Sequence, residues 1–391
     1  MQHRNTVLNQ LCEFIPKNQL ETILGQHEKT HGNRKITPWQ QCLLMIFAQA
    51  SGCESLRHLE SVWQSQARKW YHLGIESVAK STLSDANNKT NPIIYEKLFY
   101  AVLERYRSSL PKQKFTFEED LYLLDGSIIS LVYGLFDWAK YRKTKGSIRL
   151  HTVFCATEQI PHWINITNGK SPHEMTVAKK YWKDWNLPKG SILCFDRGYT
   201  SYKWWYELHQ AGIYWIVKAK KNSHFYATKK YESDSPQVLS DEEGFFIEPQ
   251  AENDYPEKVR RIQWYSQKHD KILTFFTNHH DLAPEQIAEA HKTRWQIELF
   301  FKWIKQHLKI KTFLGTSQNA VMSQIWIALI YFVILAYIKA KTKLKQSLFI
   351  LSKVFAQALF ERIHIIALLG THPNQVKKLC LNHSPPQLPL I

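Results

Sequence analysis

No two of the six cysteines, Cys12, Cys42, Cys53, Cys155, Cys194 and Cys380, stand in a CxxC pair. That scatter speaks against a zinc ribbon and a disulfide framework, and leaves reduced, mostly buried thiols of a cytoplasmic protein. The opening MQHRNTVLNQLCEFIP lacks an apolar core long enough for a signal peptide. One charge-free apolar run, IWIALIYFVILAYI at 325–338, is closely flanked by Gln324 and Lys339. It falls short of the ~20 residues of a membrane span, so it reads as a buried core helix and no membrane partner is expected. Internal repeats are absent. Acid is scarce: 34 Asp and Glu face 51 Lys and Arg, a formal charge of +17. A surplus of that size favours a polyanionic partner, nucleic acid first.

What is present is apolar and aromatic. Of 391 residues, 44 % are hydrophobic, with 14 Trp and 20 Phe, enough for one large domain or two to three ordinary ones. Residues 1–110 read as short helices, with Thr37-Pro38 and Ser81 as N-terminal signals. The stretch 70–100, helix, Gly74 turn and polar helix, has the pattern of a helix-turn-helix, and a plain helical bundle accommodates it as well. On the first pattern, the second helix would enter a major groove of DNA.

From about 115 to 220 the texture is strands, LYLLDGSIISLVYG, IRLHTVFCAT and HWINITNG, followed by strands alternating with helices. The fold class expected is therefore α/β (α+β), a mixed sheet flanked by helices. At 171–174, Ser171, Pro172 and Glu174 make a capping box, which assigns Glu174 to helix capping. Residues 221–280 form an insertion whose acid-rich part, YESDSPQVLSDEEGFFIEPQAENDYPEK, reads as solvated; strand-like VRRIQWYS and KILTFFTN follow it. Residues 281–375 are helical again, and 376–391 read as a loose tail.

LYLLDGS and ILCFDRGY each end an apolar strand on an aspartate, Asp125 and Asp196, before a glycine-containing turn. A charge there is costly unless paired or metal-bound. Taken singly, each is an ordinary turn aspartate; taken together on neighbouring strands they would meet at one edge. Further along, HKTRWQIELFFKWIKQHLK at 291–309 has one acid, Glu298, among bases. On a single helix His291, Arg294, Glu298, Lys302, Lys305 and Lys309 share a sector of roughly 80°. An Arg294–Glu298 surface pair would account for the acid but not for the concentration of bases. A metal-dependent phosphodiester site accounts for both: carboxylates hold divalent ions, and Arg and Lys hold the backbone phosphates.

The same residues resemble the DDE-class bacterial insertion-sequence transposases, in the IS4-type branch marked by Tyr-x₂-Arg-x₃-Glu-x₆-Lys. Arg294, Glu298 and Lys305 hold the required spacing, LLDGS and FDRGY look like the motifs of the two aspartates, and His291 stands where the signature has tyrosine. FDWAKYRKTKGSIRLHTVF and TRWQIELFFKWIKQHLKIKTFLG are similar to further blocks of the family, so the likeness runs essentially end to end. It implies an RNase H-like catalytic fold with a mostly β insertion between Asp196 and Glu298. It implies Asp125, Asp196 and Glu298 as catalytic metal ligands for two Mg²⁺ ions, with Mn²⁺ as a substitute. The implied reaction is cut-and-paste transposition: hydrolysis at terminal inverted repeats, a hairpin intermediate, and joining of 3′ ends to target DNA by a homodimer in a synaptic complex. Arg294, Lys305, Lys302, His291 and Arg197 are its expected DNA contacts. So are Lys143, Lys145 and Arg149 from a strip, 140–149, with five bases and no acid. Two alternatives remain open at this point, a nuclease that cleaves without joining and a catalytically inactive DNA-binding derivative.

Overall fold

The computed structural model describes residues 5–27, 35–70, 73–132, 134–142, 145–168, 174–220, 223–247, 249–268, 270–307 and 313–370. The chain divides into two compact units, one of Met1–Pro111, Gly134–Trp138 and Trp303–Ile391, the other of Lys112–Tyr133 and Ala139–Lys302.

The first unit is helical. It opens with α1 (Val7–Glu13), α2 (Lys17–His27), α3 (Pro38–Ser51), α4 (Leu56–Ser65), α5 (Lys80–Lys89) and α6 (Ile93–Arg107). Thr37 starts α3 with a reciprocal capping box to Gln40, and Gly52 ends it in the left-handed region at φ 72°. Two expectations for this region are corrected. Helix α5 begins at Lys80, with Ala79 before it, so Ser81 lies inside its first turn. Residues 66–79 separate α4 from α5, far more than the roughly three or four of a helix-turn-helix. Asn87 of α5 is buried and accepts from Gln41 Nε2 at 2.8 Å, while Thr90 and Tyr95 donate to Gln41 Oε1 at 2.7 and 2.9 Å.

The second unit is built on one mixed sheet. Its strands are β1 (Leu121–Leu131), β2 (Lys140–Arg142), β3 (Lys145–Cys155), β4 (Ile160–Asn168), β5 (Ile192–Phe195), β6 (Tyr214–Lys218), β7 (Phe225–Lys230), β8 (Val238–Phe246), β9 (Val259–Ser266) and β10 (Lys271–Thr277). The order is β2-β3-β1-β5-β6-β10-β9-β8-β7, with β4 also on β3. The β4, β3 and β1 strands are antiparallel neighbours, whereas β1, β5 and β6 run parallel. Helices α7 (Glu174–Tyr181), α8 (Tyr202–Gln210) and α9 (Pro249–Asp254) belong to this unit, as do α10 (Pro284–Thr293) and α11 (Trp295–His307) up to Lys302. Phe195, Trp204, Trp205, Trp215, Tyr255 and Phe246 share an aromatic core on one sheet face.

The acid-rich insertion is not simply solvated, which corrects another expectation. Asp241 and Glu242 are buried on β8. The Arg260 guanidinium holds Asp241 in a two-pronged pair at 2.7 and 2.6 Å, Arg261 pairs with Glu242, and Lys258 reaches Glu243 at 2.8 Å. β8 lies between β7 and β9, so its acids meet the bases of the next strand rather than water.

The chain returns to the helical unit with α12 (Gln318–Thr342), α13 (Leu348–Ala358) and α14 (Ile365–Leu368). Helix α12 is long and apolar enough to cross a membrane, yet it is buried inside the protein along most of its length and contacts α3, α5, α6 and α13. A helix apolar on all sides belongs in a core, as expected for 325–338. The tail from 376 lies outside the described residues.

Candidate active site

The last paired residues of the parallel strands β1 and β5 are Leu124 and Phe195. Asp125 and Asp196 come next, at one level of the sheet. Asp196 follows the end of β5, but Asp125 and Gly126 lie inside β1, paired with Thr152 and His151 of β3, which corrects the expected strand end and turn at Asp125. Leu124 and Phe195 point into the aromatic core, and strand alternation turns the aspartates to the other face. Asp125 Oδ1 accepts from the Gly126 N–H at 2.8 Å, and Asp196 Oδ1 accepts from the Arg197 N–H at 2.7 Å. Burial pushes the Asp125 carboxyl up to about 6; the Gly126 N–H and Arg294 oppose this, while Glu174 and Asp196 add to it.

The third acid arrives on a helix pair tied to the sheet. Phe300 of α11 lies 5.4 Å from Phe154 of β3, ring to ring. Glu289 of α10 accepts from the Thr116 N–H at 3.2 Å, and Gln296 Nε2 donates to Gln113 Oε1 at 2.8 Å, both on the segment leading into β1. These ties place Arg294 between acids of different elements. Its Nη2 donates to Glu298 Oε1 at 2.6 Å, and its Nη1 lies 3.6 Å from Asp125 Oδ2. Among the described residues no three His, Cys, Asp or Glu side chains close around a single cation position. A guanidinium instead bridges Asp125 and Glu298. The donors are hard carboxylate oxygens, the chemistry that suits Mg²⁺ and Mn²⁺, and the bridging cation marks where positive charge is needed.

The expected single helix over 291–309 is two helices. Arg294 joins them through i→i+3 bonds, its N–H to the His291 carbonyl and the Ile297 N–H to its own carbonyl, each at 3.2 Å. The tighter turn takes His291 out of the shared sector. Its ring packs 4.7 Å from Phe275 of β10, and burial, then Arg294 and Lys218, lower it to about 4, so it is neutral near pH 7. Lys302 and Lys305 are exposed along α11, as is Arg197 beside Asp196. Arg149 is paired with Glu174 at 3.6 Å. Lys143 lies outside the described residues, and of Lys145 the backbone alone is described, at the start of β3.

Two residues beside this site escaped sequence reasoning. Trp295 is 60 % exposed next to Arg294, an aromatic face open to solvent one turn before Glu298. Its signal was available, since it falls outside the apolar flank of Ile297, Phe300, Phe301 and Ile304. Glu174, assigned to capping, lies against Gly126 directly after Asp125. Ser171 and Pro172 of that capping box are outside the described residues.

Three antiparallel strands followed by two parallel ones, with Asp125 inside the first strand, Asp196 just after the end of the neighbouring parallel strand and Glu298 on a packed helix, make a mixed sheet of the RNase H-like kind. The chain belongs to the family of the transposase DDE domain, whose sequence profile matches residues 116–334. It is a DNA transposase, an enzyme of a class that depends on divalent metal. Residues 3–76 match a domain of unknown function, DUF4372. A protein of Sinorhizobium fredii assigned as a transposase is 28 % identical over 253 residues, 63 % of this chain and 69 % of that protein. The protein assigned as transposase of insertion sequence element IS5377 in Geobacillus stearothermophilus is 21 % identical over 88 % of this chain and 87 % of its own length. One from a Synechocystis insertion sequence element, IS4SA, is 24 % identical over 66 % and 72 %. The solved piggyBac transposase synaptic complex with hairpin DNA aligns over 95 % of this chain and 82 % of that one, at 11 % identity and a TM-score of 0.45.

Proposed function

We propose that Asp125, Asp196 and Glu298 are the catalytic metal ligands of a cut-and-paste transposase, using Mg²⁺ in a two-metal site with Mn²⁺ as a substitute. The observation that carries this is the Arg294 bridge, 2.6 Å from Glu298 and 3.6 Å from Asp125, which joins the helix acid to the strand acid. When bound, the ions supply an activated water or 3′-hydroxyl and stabilise the leaving oxygen. The chain's own residues do the rest. Asp125, inside β1, and Asp196, just after β5, present oxygens from adjacent strands. Arg294 neutralises the acids in the free protein and turns to a DNA phosphate when the end enters. Lys302 and Lys305, exposed on α11, and Arg197 hold neighbouring phosphates. The Trp295 ring offers a face on which a base can stack.

The reaction this supports is hydrolysis at terminal inverted repeats, a hairpin intermediate, and joining of 3′ ends to target DNA in a homodimeric synaptic complex in the cytoplasm. It is tested with purified protein and linear DNA carrying the gene and its flanks, incubated with Mg²⁺, Mn²⁺ or EDTA. Breaks at the repeat ends with either metal, none with EDTA, and a loss of at least about a hundredfold in Glu298→Gln are expected. Cleavage without joined products would leave a nuclease, and binding without cleavage an inactive derivative.

A further inference from the structure

Behind the catalytic face of β1 lies a fourth acid. Glu174 opens α7, and its side chain covers Gly126: a Cβ built there would meet Oε1 at 2.9, Cδ at 3.0 and Cγ at 3.1 Å. Gly126 is not among the glycines with positive φ, so the absent side chain serves to make room for the carboxylate. Across the strand pair, Arg149 of β3 stands opposite Ile128 and brings its Nε to 3.6 Å from Glu174 Oε1. Both side chains are mostly covered, 20 % and 26 % exposed. The Tyr199 hydroxyl, from the turn that follows Asp196, is buried without a hydrogen-bond partner among the described residues. The charges around it are Glu174 first, then Asp125, Arg149 and Asp196. The middle of β1 thus has acids on both faces, Asp125 toward Arg294 and Glu174 against Gly126.

We propose that Glu174 is a fourth acidic residue of the catalytic centre, a positioning residue whose charge, trimmed by Arg149, strengthens the hold of Asp125 and Asp196 on a divalent cation. The inference rests on those aspartates being metal ligands. Glu174 donates no ligand itself. Its side chain lies over Gly126 within β1 and adds negative potential at short range. Arg149 counters that potential, so the two side chains act with opposite signs. A pair present only to pack the helix on the sheet would act with one sign, since removing either partner would loosen the same contact.

Mn²⁺ binding to the full chain without DNA, read from the loss of the free-ion paramagnetic resonance signal, separates these cases. Glu174→Gln is expected to weaken binding about fivefold, Arg149→Gln to strengthen it by about two- to threefold, and the double variant to return close to the parent. Asp125→Asn reports on the underlying assignment. If it leaves Mn²⁺ binding unchanged, the metal-ligand reading fails first. If Asp125→Asn abolishes binding while Glu174→Gln does nothing, or while both pair variants weaken it alike, the role of Glu174 is overturned. Melting curves establish that each variant folds. Should Glu174→Gln not fold, Arg149→Gln decides alone, and unchanged or weaker binding overturns the proposal.

Discussion

At the scale of single residues, the site is a problem of uncompensated charge. Asp125 sits where burial disfavours its ionised form, and Arg294 supplies the compensation by reaching two acids at once. His291 shows the converse. A tyrosine at this position would keep its hydroxyl neutral at any ordinary pH, whereas histidine acquires a charge on acidification. Its folded value of about 4 lies below the 6.5 of a free imidazole, so the neutral form is the stable one in the fold. Its contribution to stability is therefore complete above pH 6.5 and is lost as pH falls toward 4, by up to about 3 kcal/mol. His291→Tyr is expected to flatten that part of the stability–pH curve, measured by urea unfolding at pH 7, 6, 5 and 4.5. An unchanged slope would mean that His291 is not buried as a neutral ring. The signature spacing put Arg294, Glu298 and Lys305 in view from the sequence alone. The inward turn of His291 was not in view, because periodicity does not register the i→i+3 bonds at Arg294.

At the scale of elements, the strand that stops before Asp196 was legible as an apolar run, but β1 was read too short. It continues through Asp125 and Gly126 to Leu131 because β3 pairs with it along that length, a partner the local pattern does not register. The antiparallel β1–β3–β4 neighbours were legible from their β-branched runs and turns. Glu174 was not, since its relation to Gly126 exists only after the chain from β4 has crossed to β5. The acids of β8 were misread for a similar reason: Asp241 finds its partner 19 residues on, in Arg260. That pair also reaches the segment leading into α10. Arg260 Nη1 donates to the His280 carbonyl at 3.1 Å and to that of Leu282, just before α10 begins. Asp241→Asn would leave a buried guanidinium half-compensated, a change that costs about 3–5 kcal/mol. A fall of several degrees in the melting temperature is expected. An apolar replacement of both partners, Asp241→Leu with Arg260→Met, should recover much of it. If the single variant melts like the parent, the pair does not hold the insertion to the start of α10.

For the whole molecule, the governing quantity is the +17 charge, which acts on any DNA whatever its sequence. Asp241 and Glu242 are buried in the pairs of β8 with β9, while Lys302, Lys305 and Arg197 are exposed. Such a protein binds duplex DNA by releasing counterions, and its affinity falls steeply with salt, with a logarithmic slope of about −0.9 per phosphate contacted. Lysines that touch phosphate lower the steepness when removed, and lysines that merely add to the net charge do so far less. Lys302→Gln with Lys305→Gln is expected to reduce the slope by about two, on repeat-end and unrelated fragments alike. Fluorescence anisotropy over a series of salt concentrations measures it. The same double change at Lys229 and Lys230, exposed on the edge strand β7, serves as the comparison, since it removes equal charge elsewhere. Equal slopes for the two double variants would sink the assignment of α11 to the DNA backbone, because only the total charge would then matter. A change confined to the α11 pair would place the phosphates along the helix that carries Glu298, where a transposase must hold the strand it cuts.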